Sequence, residues 1–404
     1  MLAPMQRSRD LAWQLENRRV LVCAGAGGVG KTTVSAALAL AAATRNKRVL
    51  CLTIDPARRL ASSLGLSEFP SQQLEVPKDF LTQQGIPVNG SLTVMMLDPR
   101  ATFDELIFRY AASEEEAARI VERKIYQHLA QNLSGTHSYM AMEKVLSVLR
   151  DESYDLIVLD TPPSARALDF FDAPKKMVDI LDSPATRALI AAVRGGHKLQ
   201  LSIVGVGLRA ALRGLQGIAG NNFIFELADL LGSMNDLLGG FEQRAKDVAA
   251  SLLSEQFGYL LITSPHPRTQ RDAASLARAL SERGLPLGAV VVNQMSPTAR
   301  LVPSSNVELA QQFHPAASAE QSTDLADKVL ALAVKQRQLR LVQEATCSNL
   351  FATLGPQVSR VLLPKQQSTA LSAQGLFQLS QLLLAGEGLG VLGRAALDSQ
   401  PSAS

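Results

Sequence analysis

Residues Gly25 to Thr32 read Gly-Ala-Gly-Gly-Val-Gly-Lys-Thr, and a segment of this kind leaves a chain few folds to choose from. It satisfies the spacing Gly-x-x-x-x-Gly-Lys-Ser/Thr of a loop that wraps phosphate. The apolar run Arg19–Ala24 before it predicts a strand, and Thr33 onward, with Val34, Ala37, Leu38, Leu40 and Ala41, predicts a buried helix. Strand, glycine loop and helix in that order are the context the loop needs. Four glycines remove side chains where backbone N–H groups must converge on phosphate oxygens. The start of the helix adds the positive end of its dipole at the same point. In such a loop Lys31 reaches the outer phosphates and the Thr32 hydroxyl takes magnesium. The candidate nucleotide-binding residues are therefore Gly25, Ala26, Gly27, Gly28, Val29, Gly30, Lys31, Thr32 and Thr33.

The rest of the chain is consistent with an α/β protein built around that loop. Short aliphatic runs recur at Val49–Ile54, Leu92–Leu97, Leu156–Leu159, Tyr259–Thr263, Ala289–Val292 and Val358–Leu363. Their apolarity is continuous rather than alternating, which predicts strands buried on both faces of a mostly parallel sheet of seven or eight strands. Helices are expected between them, one starting at a capping-box pattern, Thr102-Phe103-Asp104-Glu105. We expect a single domain over 18–385, with loose tails at 1–17 and 386–404.

About a hundred residues separate Asp160 from Tyr259, more than one crossover requires. A helical insertion over 164–256 is expected there. Within it Ile224, Leu227, Leu231, Met234, Leu238 and Phe241 form one apolar stripe, widened by Leu230 and Leu237. Such a stripe either packs on the body of the protein or a dimer partner, or forms a groove for an apolar client segment.

Composition excludes several classes of function. Net charge is only +3, which gives no reason to expect nucleic acid as a partner. The three cysteines, Cys23, Cys51 and Cys347, contain no C-x-x-C pair, so neither a disulfide framework nor a thiolate zinc site is expected. No apolar run approaches the ~18–20 residues of a membrane span, and Met1–Asn17 lacks the apolar core of a signal peptide. A cytoplasmic setting with no transmembrane segment is the expectation.

Hydrolysis of a phosphoanhydride needs a positioned water and charge compensation. Carboxylates at the C-terminal ends of neighbouring strands are the places to look. Asp55 leaves the second strand into Asp-Pro-Ala-Arg-Arg, and Asp160 leaves another into Asp-Thr-Pro-Pro-Ser. Either alone reads equally well as a turn or cap residue.

Gly-Gly-Val-Gly-Lys-Thr-Thr, Thr53-Ile54-Asp55-Pro56-Ala57, Asp160-Thr161-Pro162-Pro163 and Val292-Asn293-Gln294 occur in this order, and together they resemble the ArsA family. That family includes arsenite-pump ATPases and ATPases that target tail-anchored membrane proteins. The resemblance runs from about Arg19 to Leu384, with one nucleotide-binding unit. It implies ATP and magnesium as cofactors, with Asp55 activating the attacking water and Asp160 holding magnesium through a water. It also implies that Asn293 contacts the adenine, that ATP closes a dimer, and that closure engages or releases a membrane-protein or other apolar client.

The chain departs from the family pattern at Ala26, where members usually carry a lysine that reaches the partner's phosphates. Three explanations stand. A lysine-bearing paralogue could complete a heterodimer. Arg58 or Arg59 could substitute in a homodimer. Or the chain is a weak ATPase serving as a regulatory, nucleotide-gated subunit. The family's zinc-binding cysteine pair is also missing, and nothing resembles a three-thiol metalloid site, although anion transport stays open as a further alternative. A DNA- or membrane-positioning ATPase would want a basic terminal patch, and the tail from Gly386 has Arg394 as its only basic residue.

Overall fold

The computed structural model describes residues 10–385 apart from 55–60, 62–63, 65, 67–71, 125, 128–135, 182, 184–234, 298–318 and 367–371. Among the described residues β1 (Val20–Gly25), β2 (Arg48–Thr53), β3 (Leu74–Glu75), β4 (Ser91–Met96), β5 (Leu156–Asp160), β6 (Phe257–Thr263), β7 (Leu287–Met295) and β8 (Ser359–Pro364) form one sheet. Its order is β3-β4-β2-β5-β1-β6-β7-β8. Every pairing is parallel except that of β3 with β4. The expected α/β architecture with a mostly parallel sheet is what is found.

Continuous apolar runs have the predicted physical cause. Along β1, Val20, Val22 and Ala24 face one core, while Leu21 and Cys23 face the other. The Cys23 side of the sheet is covered by the helices Leu11–Asn17, Lys31–Ala43 and Ala373–Ala385. From Ala36 onward the helix Lys31–Ala43 consists of alanine and leucine, and its alanines at 36, 37, 39, 41, 42 and 43 are buried. Small side chains let it sit close to the sheet. The opposite face is covered by Pro99–Tyr110, Glu114–Glu122, Thr136–Arg150, Ser164–Leu181, Asn235–Leu252 and Pro267–Glu282, with the C-terminal part of the 35-residue helix Ala319–Thr353.

Two local expectations need correction. The helix expected to start at Thr102 begins at Pro99, because Asp98 caps it by accepting from the Ala101 N–H at 3.0 Å and proline is favoured in the first turn. Thr102 lies inside that helix, its hydroxyl donating to the Asp98 carbonyl at 2.9 Å. The N-terminal tail, expected to stay loose up to residue 17, instead forms the helix Leu11–Asn17. Asp10 caps it, and Leu11, Gln14 and Leu15 are buried.

Both ends of the expected 164–256 insertion are helical. Phe170, Phe171 and Ala173 from one end, and Ala245, Val248 and Leu252 from the other, share a core with β1, β5 and β6. An ion pair pins the second of these helices. Arg244 meets Glu143 and the hydroxyl of Tyr110, and the Tyr139 hydroxyl donates to Glu143 at 3.2 Å. Glu143 is 1% exposed, a depth at which a carboxylate needs such partners. Most of the apolar stripe, from Ile224 to Met234, lies outside the described residues. The long helix exposes Leu332, Val334, Leu339, Leu341 and Val342. Among the described residues no helix is long and apolar enough to cross a membrane.

Candidate nucleotide site

The strand order places β1 between β5 and β6; the connection after β1 runs one way along the sheet, to β2, and the connection after β5 runs the other way, to β6. Ligands of open α/β sheets gather at the C-terminal ends of strands at such a point. The glycine loop is there. Gly28 and Gly30 take φ of 77° and 90°, a region glycine enters at little cost. Gly30 then caps the helix Lys31–Ala43 from the left-handed conformation.

Close packing, as well as dihedral freedom, dictates glycine at the start of the loop. A Cβ on Gly25 would lie 2.0 Å from the Ile262 carbonyl oxygen of β6. Gly25→Ala must therefore push β1 and β6 apart, and we expect a loss of stability of about 1–3 kcal/mol. Chemical denaturation checks this, and a variant as stable as wild type would contradict the register drawn here.

Thr32 and Asp160 converge at the junction of the loop with β5. The Thr32 hydroxyl donates to Asp160 Oδ2 at 2.5 Å, and the Thr53 hydroxyl at the end of β2 donates to the same oxygen at 3.1 Å. The Asp160 carboxylate is 2% exposed. Lys31 is buried along its stem, and its Nζ donates to the Ala26 carbonyl at 3.1 Å, folding back over the loop. Thr161 anchors the next turn to β1, its hydroxyl donating to the Cys23 carbonyl at 2.9 Å. A buried carboxylate beside a threonine hydroxyl is an oxygen donor set that suits a small, hard divalent cation.

Ala26 does not project into solvent. It is 8% exposed and belongs to the core on the Cys23 side of the sheet. A methyl group is what this position packs.

On the other flank, β7 delivers Asn293 and Gln294. The Asn293 amide Nδ2 donates to the Val29 carbonyl at 2.9 Å, and its Oδ1 accepts from the Gln294 N–H. The Gln294 amide Nε2 donates to the Gly28 carbonyl at 3.1 Å. The family resemblance gives Asn293 a contact with the adenine; the contact present here is with the loop. Gln294 belongs to the same Val292-Asn293-Gln294 motif, and no sequence signal points to its contact with the loop. Asp55, Arg58 and Arg59 lie outside the described residues.

The three thiols do not converge. Cys23 and Cys51 are buried in one core and Cys347 in the other. Burial pushes the Cys23 thiol up to about 12 and that of Cys347 to about 11, and raises Cys51 as well. At neutral pH all three stay protonated, hence poor ligands for a soft metalloid.

Comparison with known proteins agrees with this geometry. Residues 18–200 match the model of the ArsA-type family, described as anion-transporting ATPase. The ATPase get3 of Aspergillus terreus is 26% identical over 280 residues, which cover 69% of this chain and 73% of the relative. The ATPase get3 of Sclerotinia sclerotiorum is 24% identical over the same length, covering 69% and 72%. With the ATPase GET3 of Phaeosphaeria nodorum, 28% identity extends over 180 residues, about half of that protein.

Proposed function

For a chain whose residues 18–200 match the model of the ArsA-type ATPase family, we propose hydrolysis of ATP to ADP and phosphate at Gly25–Thr33, coupled to closure of a dimer that handles a protein or other apolar client. The observation that carries this reading is the 2.5 Å contact between the Thr32 hydroxyl and the buried Asp160 carboxylate beside the glycine loop.

In this reading the backbone N–H groups of Gly27 to Thr33 hold the β- and γ-phosphates. Lys31 exchanges the Ala26 carbonyl for a phosphate oxygen. Thr32 and, through a water, Asp160 would hold magnesium. Magnesium bound there supplies positive charge against the phosphate oxygens. Asp55 orients a water for in-line attack: a bond forms from the water oxygen to the γ-phosphorus as the bond from that phosphorus to the bridging oxygen breaks, ADP leaves, and a proton of the water passes to solvent. Asn293 lies on the side of the loop where the nucleoside is expected.

Ala26 supplies no cation across the dimer. We favour a heterodimer in which a lysine-bearing paralogue completes this site, over a homodimer using Arg58 or Arg59. In the regulatory-subunit alternative the chain binds ATP with little hydrolysis of its own. Metalloid transport is disfavoured by the separation and burial of the three thiols. The proposed setting is cytoplasmic, with a helical insertion expected over 164–256.

The test is Asp55→Asn. Turnover of ATP should fall by about 10²-fold or more while nucleotide affinity changes little, as befits a residue that acts on the attacking water. Phosphate release and equilibrium titration measured on the same preparation check both halves, and unchanged turnover would remove Asp55 from the mechanism.

A further inference from the structure

Gln294 holds a backbone conformation that its own side chain does not favour. Its φ is 65°, in the left-handed region where residues with a Cβ are uncommon and which, next to a site, often marks function. The pairing of β7 with β8 slips between Val292 and Met295, so Asn293 and Gln294 occupy a bulge. Bulges of this kind re-aim side chains near active sites. Here both side chains turn the same way, onto consecutive carbonyls of the glycine loop, Val29 and Gly28.

Those two carbonyls matter because a trans peptide is planar and its C=O opposes the N–H of the following residue. A donor fixed on the Gly28 carbonyl sets the direction of the Val29 N–H. A donor fixed on the Val29 carbonyl does the same for the Gly30 N–H. Both N–H groups belong to the cradle, and Gly28 and Gly30 are its two left-handed residues. The bulge is itself held from behind. The Ser296 N–H donates to Gln343 Oε1 at 2.7 Å, and Arg340 donates to the Ser296 carbonyl at 2.9 Å, both from the long helix. Lys365 N–H closes the other side on the Met295 carbonyl at 2.7 Å.

We infer that Asn293 and Gln294 are positioning residues for the phosphate cradle, acting on the triphosphate through the carbonyls of Val29 and Gly28. This rests on the reading of the loop as an ATP site. It differs from a contact with the base, because it makes the two side chains matter to a ligand that has no base. An amide has a second N–H and a second lone pair, so Asn293 can serve a nucleoside as well.

The probe is inorganic tripolyphosphate with magnesium, measured by competition against a fluorescent ATP analogue. Asn293→Asp keeps the shape but removes the donor and faces the Val29 carbonyl with a carboxylate. It should weaken tripolyphosphate by about tenfold. Gln294→Glu, at the more exposed position, should cost about threefold. Gln294→Gly separates positioning from fold maintenance: it relieves the left-handed strain, so the melting temperature should rise by about 1 °C, while tripolyphosphate binding still weakens. A purely structural Gln294 would lower stability and affinity together. Wild-type affinity for tripolyphosphate in the folded variants, with only ATP weakened, overturns the inference and leaves the ATP site standing. Failure of the wild-type chain to bind either ligand overturns both.

Discussion

Lys31→Ala is expected to reduce ATP affinity by at least ~10²-fold, the loss of a charge-assisted contact to phosphate. The fold itself should hardly notice. The lysine stem is buried, and its ammonium group donates to the Ala26 carbonyl of the same loop, a contact within the loop rather than one between core elements. Equilibrium titration with ATP and magnesium measures the loss, and thermal melting shows that the protein remains folded. The two readouts together matter, since a misfolded variant also fails to bind. Unchanged affinity in a folded variant would sink the assignment of the loop as a triphosphate site.

Ala26→Lys is expected to act in the opposite direction. If turnover is limited by the absence of a cation reaching across the dimer, restoring one should raise it by up to ~10³-fold, the scale of an arginine finger. The structure adds a cost. Ala26 is nearly buried and packs in the core beneath the loop, so the lysine must run its stem out to the surface to place its charge. Some loss of stability should accompany the gain in rate. The variant must also be assayed over a range of concentrations, because a trans residue helps only where two chains meet. Phosphate release that rises steeply with concentration supports the trans role. A variant that is folded, dimeric and no faster than wild type would mean that Arg58, Arg59 or a different partner already supplies the charge.

Where the sequence was legible, two signals coincided. The glycine loop carried its own chemistry, and the strand before it and the helix after it carried matching periodicity, so β1 and the helix Lys31–Ala43 were placed to within a residue or two. Asp160 was legible because it ends an unbroken apolar strand. Its convergence with Thr32 and Thr53 was not, since parallel neighbours are far apart in sequence and only the sheet order brings them together.

Other elements gave weaker signals. The edge strand β3 has two residues, both exposed, too few to show any period. Asp98 was missed as a cap because the Thr-x-x-Glu pattern four residues later was the more familiar signal. The long helix Ala319–Thr353 carries no sequence signal of its own. Its exposed leucines and valines do not keep to one face, so no amphipathic period announces it. Gln294 was the hardest of all. A left-handed glutamine is made by its surroundings, and nothing in the residue type predicts it.

The most direct test of the account is steady-state phosphate release from ATP by the purified wild-type chain, over a wide range of protein concentration, with and without magnesium. We predict saturable, magnesium-dependent release, slow when the chain is alone and accelerated by a lysine-bearing partner. Release no faster than in protein-free solution at every concentration, from a folded chain given magnesium and such a partner, would contradict it.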